Sequence, residues 1–449
     1  MASVKVVGGS GFLGRHVAAA LLQAGHDVTA PAHEDLDIAR QSAEEIALQL
    51  TGAEIVVNCA GLARDARVDN LNAVNKEGPK ALAHACQLAG VRRFIHVSAL
   101  GATDADASRF QRSKGEAEAA VSATEGVEVV ILRPSLAVGP GGASGDFFSA
   151  LAALPLAPRL ADGSWRVQPL HVNEISELVV KLATMSNPPQ VLDAVGPTPM
   201  TTDELTRSLR DWLGLPETRS LALPRPVLRF FAWANEIVEF GPGDREFLNL
   251  LERGNTGDPS GAAAVLGREP LSLERSLARQ PASLGDFWRA RLYFIQPLLR
   301  LSLAILWLGT GVVSFGLFPP SEFYVMLGEL GLVGASAEVA LFGVAMLNLI
   351  LGALLLVNWR PALTATLMLA LLFVFSGAAL MLPREYWLTP FAPVLKNAPI
   401  AVALMTLIGM QRPSRPRKTP AEKALLAGAS ARYRPTLDKT SRKGSAVQA

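Results

Sequence analysis

Seven residues near the N-terminus, Gly8-Gly9-Ser10-Gly11-Phe12-Leu13-Gly14, have the types and spacing of an anion cradle. The apolar run Val4-Lys5-Val6-Val7 leads into them, so a strand ends in glycines and opens directly into a helix. The first turn of a helix leaves N–H groups unpaired and carries partial positive charge, which suits a pyrophosphate. Gly8 allows the tight turn and Gly11 lets phosphate approach the backbone. Phe12 and Leu13 then open the helix, and Gly14 lets it pack closely on the strand. The spacing is G-x-x-G-x-x-G. A second group with chemical potential stands further on, at Ser98 and in Phe110-Gln111-Arg112-Ser113-Lys114.

The elements that must position these residues alternate between strand and helix. Arg15 to Ala24 reads as a helix stopped by Gly25, and His26 to Ala30 as a second strand. A strand in this place ends in an acid when it holds the ribose hydroxyls of NAD. Here Pro31-Ala32-His33 stands instead, with Arg15 free either to face solvent or to meet a 2′-phosphate, which favours NADP(H) over NAD(H). The strand Glu54 to Val57 runs into Asn58-Cys59-Ala60-Gly61. A helix from about Asn72 to Leu88 then leads to Arg93-Phe94-Ile95-His96-Val97-Ser98, and Val127 to Leu132 forms a further strand before Arg133-Pro134-Ser135. This order implies an α/β fold, a doubly wound parallel sheet of the Rossmann type.

Together, Gly8-x-x-Gly11-x-x-Gly14, Asn58-x-Ala60-Gly61, Val97-Ser98, Ser113-Lys114 and Leu132-Arg133-Pro134-Ser135 resemble an extended short-chain dehydrogenase/reductase of the NAD-dependent epimerase/dehydratase superfamily. Gln168-Pro169-Leu170-His171-Val172 and Gly196-Pro197 fit the same pattern, which covers about residues 3–280. The branch it is most similar to is the atypical one of the NADPH-binding accessory subunit of respiratory complex I. The resemblance implies that Gly8, Gly11 and Gly14 hold the pyrophosphate. It also implies that Asp37 approaches the adenine, that Ala60 and Gly61 line the adenine ribose, that Lys114 bonds the nicotinamide ribose, and that Pro134 and Ser135 flank the nicotinamide. Asp37 reads equally well as a helix cap.

One departure matters. The family's catalytic pair is Tyr-x-x-x-Lys, and here Phe110 stands at the tyrosine while Lys114 is kept. A phenyl ring has no proton to give, and a positioned general acid is worth about 10²–10⁴ in rate. Ser98 falls at the family's catalytic serine, but an isolated hydroxyl is a poor acid. His96 and His171 read as buried structural histidines.

The chain has 449 residues, half of them apolar, with a net charge of +2 that points away from nucleic acid. The apolar excess is concentrated in one region: Leu301 to Phe318, Val339 to Val357 and Pro361 to Leu382 carry no formal charge, and Ala398 to Met410 is a weaker fourth run. A span needs ~20 such residues. Four spans are expected, at about 297–318, 338–358, 361–383 and 392–411. They make an all-α transmembrane four-helix unit (290–411) after a dinucleotide-binding domain (1–285), whose substrate side is about 140–280. This unit resembles the DoxX-like membrane family.

Arg289, Arg291, Arg300, Arg360, Arg412, Arg415, Arg417 and Lys418 flank one side of these spans, while Glu322, Glu329 and Glu338 occupy the other. By the positive-inside rule both termini and the dinucleotide site face the cytoplasm, and if the source is a bacterium the membrane is the inner one. The basic tail 412–449 reads as disordered. Asn348 reads as a bond to a neighbouring helix, and no His or Cys cluster suggests a metal. Pro226 to Phe240 reads as amphipathic, with core packing as its simplest account.

Two readings stay open. One is an oxidoreductase acting at the membrane face on an apolar, lipid- or quinone-like substrate. The other is a non-catalytic nucleotide-binding assembly or sensor protein within a membrane complex.

Overall fold

The computed structural model describes residues 1–64, 70–103, 107–238, 243–317, 319–383 and 394–411, without the side chains of 237 and 238. Five strands alternate with helices: β1 (Ser3–Val7), α1 (Phe12–Gln23), β2 (Asp27–Thr29), α2 (Ala43–Leu50), β3 (Ile55–Asn58), α3 (Gly78–Leu88), β4 (Arg93–Val97), α4 (Arg109–Ser122) and β5 (Glu128–Pro134). With the edge strand Val191–Ala194 they form one sheet, ordered Val191–Ala194, β5, β4, β3, β1, β2. Every pairing in it is parallel. The strand order reverses beside β1, and at such a switch point the carboxyl ends of the strands leave a crevice for a ligand.

Strand alternation divides the core in two. Val4, Val6, Ile55 and Val57 face α1 and the helix Val172–Thr184. Val7 and Val56 face α2 and α3 through Ile46, Leu50, Leu82 and Cys86. Capping boxes start α2 at Ser42 and α4 at Ser108, so the register of each helix is set at its first turn. The α4 box fixes where Lys114, in the second turn, must point.

A second core joins the helices Ala143–Ala153, Thr202–Trp212, Arg225–Val238 and Arg245–Arg253 through Phe148, Leu205, Leu209, Leu228, Ala232, Leu248 and Leu251. Here the amphipathic reading of Pro226 to Phe240 meets a correction within its described residues. Leu228 and Ala232 are buried, but Phe230, Phe231 and Trp233 are 59%, 58% and 48% exposed. The periodicity marked two faces, and the more aromatic one points outward.

Among the described residues three helices are long and apolar enough to cross a membrane: Ile295–Leu317, Ala335–Leu356 and Pro361–Met381. Their core is Trp307, Leu351, Leu355, Met368 and Leu372, joined by Leu404 and Leu407. A Cβ at Gly311 would lie 2.7 Å from Leu349, and one at Gly352 2.8 Å from Leu308. Small residues therefore let the first two membrane helices approach closely, as they do where helices associate in lipid. Outward-facing Ile305, Val339 and Phe373 are more than half exposed, a surface suited to hydrocarbon rather than water.

The fourth apolar helix, Asn397–Gly409, has 13 residues and so about 20 Å of length. The first residues assigned to that span, up to 393, lie outside the described residues, as does the tail 412–449 with Arg412, Arg415, Arg417 and Lys418. Asn348 donates to the carbonyl of Val344 in its own helix at 3.0 Å, so the expected bond to a neighbouring helix gives way to a local one. An inter-helix polar bond runs from Asn397 Nδ2 to Ser376 Oγ, at 2.8 Å.

Candidate dinucleotide site

The glycine turn closes with the Gly11 N–H donating to the Gly8 carbonyl at 2.9 Å. Gly8 has φ +76°, and a Cβ there would lie 2.6 Å from the Ala60 nitrogen. A Cβ at Gly14 would lie 2.1 Å from the Gly8 carbonyl oxygen. Both positions therefore exclude any side chain. The N-cap of α1 is Gly11, which supplies no capping side chain, and no acid stands in the first turn. The N–H groups of Phe12, Leu13 and Gly14 are thus presented as a helix end that suits an anion.

At the end of β2, His33 Nε2 lies 3.6 Å and Arg40 NH1 3.2 Å from Asp37 Oδ2. Asp37 Oδ1 accepts from the Ala39 N–H at 3.0 Å, so this carboxylate closes its own turn while pairing with the Arg40 guanidinium. Arg15 points elsewhere. Its guanidinium donates to the Pro140 carbonyl at 2.7 Å and lies 5.9 Å from the centre of the Phe12 ring. It braces the Gly139–Gly142 loop, and the guanidinium beside Asp37 in the loop after β2 is that of Arg40. Replacement of Arg15 by Gln is accordingly expected to change NADPH and NADH affinity in the same proportion. A selective loss of NADPH binding, read by titration calorimetry of both nucleotides, would assign Arg15 to the 2′-phosphate.

Lys114 is 4% exposed. Its Nζ donates to the carbonyls of Val97 at 3.1 Å and Ala60 at 3.4 Å, beneath Gly61, where a Cβ would meet it at 2.9 Å. Burial lowers its pKa to about 8, with Cys59 and Glu118 pulling the other way. Burial pushes the neighbouring Cys59 thiol up to about 12. His96 is fully buried, and burial with the Lys114 charge holds it well below its ordinary value. It is therefore neutral, with Nδ1 3.1 Å from Asn58 Nδ2.

Ser98 Oγ and His96 Nε2 are buried without a protein partner, although buried polar atoms are normally paired. Phe110 is half-buried one turn before Lys114, and Ser113 Oγ donates to its carbonyl at 2.7 Å.

On the nicotinamide side, Ser135 Oγ donates to the Gln168 carbonyl at 2.5 Å and Pro134 ends β5. Gln168 was not singled out by sequence reasoning. It is fully buried, donates to the Gly196 carbonyl at 2.5 Å and accepts from the Gly257 N–H at 2.9 Å. A single amide thus ties three loops behind Ser135. The run Gln168-Pro169-Leu170-His171 fits the family pattern, but no periodicity marks an amide as a clamp. His171 is held near pH 4 by burial and the charge of His16, so it is neutral throughout the physiological range. Among the described residues no cluster of three His, Cys, Asp or Glu could hold a metal ion.

Residues 4–192 match the model of the NAD dependent epimerase/dehydratase family, and residues 304–405 that of the DoxX-like family. The chain is 32% identical over 191 residues to the ceramide reductase of Caulobacter vibrioides (strain NA1000 / CB15N), covering 39% of this chain and 59% of that one. It is 26% identical over 254 residues to NADH dehydrogenase [ubiquinone] 1 alpha subcomplex subunit 9 of Arabidopsis thaliana, covering 50% and 63%. The match thus spans about three fifths of the length of these curated relatives. The structure of human epimerase family protein SDR39U1 with NADPH aligns at a TM-score of 0.49 and 20% identity, over 65% of this chain and 98% of that one. Residues 4–192 are thus similar to the NAD dependent epimerase/dehydratase family, and the region of the membrane helices to the DoxX-like family.

Proposed function

We propose that this chain is a membrane-anchored oxidoreductase that holds a nicotinamide dinucleotide, NADP(H) in preference to NAD(H), and acts on an apolar quinone- or lipid-like substrate. The observation that carries this reading is a dinucleotide cradle whose far end keeps a buried, unpartnered Ser98 hydroxyl next in chain to the Val97 carbonyl that Lys114 holds. An unpaired buried hydroxyl is expensive unless a ligand completes it. The glycine turn, Ala60, Gly61 and Lys114 fit the cofactor's phosphates and riboses, and a bound nicotinamide supplies hydride. The Arg40 guanidinium in the loop after β2 supports the preference for NADP(H).

Phe110 narrows the substrate. Hydride addition to an ordinary ketone leaves an alkoxide, about as basic as hydroxide, which needs a positioned acid. Addition to a quinone leaves a phenolate-like anion, pKa about 10 as for tyrosine, which solvent can protonate. A site without the tyrosine therefore suits a quinone better than a ketone. Two domains, 1–285 and 290–411, would place this chemistry beside the bilayer. Arg289, Arg291 and Arg360 on one side of the spans, against Glu322, Glu329 and Glu338 on the other, support a cytoplasmic site.

The test is NADPH consumption by the full chain in detergent. Wild type is expected to turn over with short-chain quinones and barely with ketone-bearing lipids. Restoring the acid with Phe110→Tyr is expected to raise the ketone rate by about 10²–10⁴. Turnover in Phe110→Tyr alone, with none in wild type for any acceptor, would favour the second reading. In that reading the nucleotide is held for assembly or sensing, which the missing tyrosine and the similarity to a complex I subunit support.

A further inference from the structure

The helix Arg225–Val238 presents its aromatic side to the outside. At about 100° per residue, Trp233, Pro226, Phe230, Val227 and Phe231 fill an arc of roughly 160°. Leu228 and Ala232, which are buried, lie opposite Phe230. Phe230 lies 5.9 Å from Phe231 and 5.8 Å from Trp233, ring centre to ring centre, so the three rings form one patch. Arg225 and Arg229 flank it on one side, with side chains 58% and 68% exposed. An outward aromatic face bordered by arginines is the composition of a helix lying in a membrane–water interface.

A second observation says what covers this face. The buried side of the helix packs on Leu248 and Leu251 of the helix Arg245–Arg253. In that helix the Phe247 ring lies 5.7 Å from Phe147, and Phe147 lies 6.3 Å from Phe294. Phe294 immediately precedes the first membrane helix. An aromatic chain therefore fastens the exposed helix to the point where the chain enters the bilayer. Behind the helix a cavity of about 290 Å³ is lined by Arg225, Arg229, Arg245 and Trp165. Trp165 is 7% exposed, and its indole N–H has no protein partner. Arg225 and Arg229 share the Glu252 carboxylate, Arg245 pairs with Glu236, and the Arg225 charge also acts on Asp162.

We propose that the helix Arg225–Val238 is an interfacial membrane helix. Phe230, Phe231 and Trp233 insert at the boundary between headgroups and acyl chains, and Arg225 and Arg229 meet the phosphates of anionic lipid. The cavity behind it then opens at headgroup level. The inference rests on the membrane assignment of the C-terminal helices and not on the dinucleotide.

The test uses the full chain in vesicles of phosphatidylethanolamine and phosphatidylglycerol, with an environment-sensitive fluorophore on one introduced cysteine: Phe230→Cys, Leu48→Cys or Ile305→Cys. Leu48, on α2, is 78% exposed, and Ile305 lies on the first membrane helix, so they mark water and hydrocarbon. The label at 230 is expected to be quenched severalfold more than that at 48 by lipid carrying a spin label near the headgroup. A label deep in the acyl chains is expected to quench 305 more than 230. Adding Arg225→Gln and Arg229→Gln should weaken the quenching at 230 in these vesicles, and should change it little in phosphatidylcholine vesicles. Quenching at 305 with a water-like 230 overturns the proposal and leaves the membrane reading standing. A shielded 230 that no lipid quencher reaches places a protein surface there and also overturns it. Failure at both 230 and 305 removes the membrane reading itself.

Discussion

Replacement of Gly14 by Ala is expected to lower NADPH affinity roughly 5- to 150-fold. That range converts the about 1–3 kcal/mol typical of forcing a methyl group into a filled space. The added Cβ would sit 2.1 Å from the Gly8 carbonyl oxygen and 2.8 Å from the Gly9 Cα, both backbone atoms that cannot rotate away. Either α1 moves off the turn or the turn opens, and both changes misalign the N–H groups of Phe12 and Leu13. Gly25→Ala is the matched control. Gly25 has φ +85°, so an alanine there is strained, yet nothing lies within 4 Å of its Cβ. It should lose about 1–2 kcal/mol of stability with affinity unchanged. Calorimetric titration with NADPH, beside a thermal melt of each variant, separates the two. Full affinity in a folded Gly14→Ala protein would mean that the pyrophosphate sits elsewhere.

The second large effect belongs to Lys114. Lys114→Met keeps the length of the side chain and removes the cation, so the loss of a charged hydrogen bond to the ribose, about 1.5–3 kcal/mol, should weaken binding roughly 10- to 150-fold. The melting temperature should move little, because the carbonyls of Val97 and Ala60 lose their donor while a desolvated ammonium is removed. The same group sets the pH dependence. With its pKa at about 8, against 10.5 for a free lysine, Lys114 is charged below pH 7 and neutral above pH 9. Affinity should therefore be full below pH 7 and fall as pH rises through 8.

Stability should move the other way. Between pH 8 and 10.5 the unfolded chain holds a proton that the folded chain has released, so this residue makes the fold more stable as pH rises across that window. His96 and His171 are both held neutral, so neither adds a step to the profile near pH 8. An affinity flat from pH 6 to 9.5 would remove Lys114 from the nucleotide's contacts.

The parts legible in the sequence are those governed by short-range rules. Glycine types and spacing gave the turn, because backbone conformation and close approach leave no alternative residue at Gly8 and Gly14. Short apolar runs alternating with helical stretches gave the strands, and long uninterrupted apolar runs gave the three long membrane helices. What stayed hidden depends on distant partners. The direction of Arg15 is decided by the Pro140 carbonyl, 125 residues away in the chain. The clamp at Gln168 exists only because three loops converge on it. The helix Arg225–Val238 shows the limit most plainly. Its period marks Phe230 and Leu228 as belonging to different faces, but which face is inward depends on Leu248 and Leu251 arriving from the next helix.

The thiol beside Lys114 has a consequence for the kind of substrate such a pocket can tolerate. Quinones arylate sulfur by conjugate addition, and the attacking species is the thiolate. With its pKa at about 12, Cys59 exposes only about one thiolate in 10⁵ at pH 7, and Cys86 is pushed higher still by burial. The thiol beside Lys114 is thus held in its protonated, less nucleophilic form.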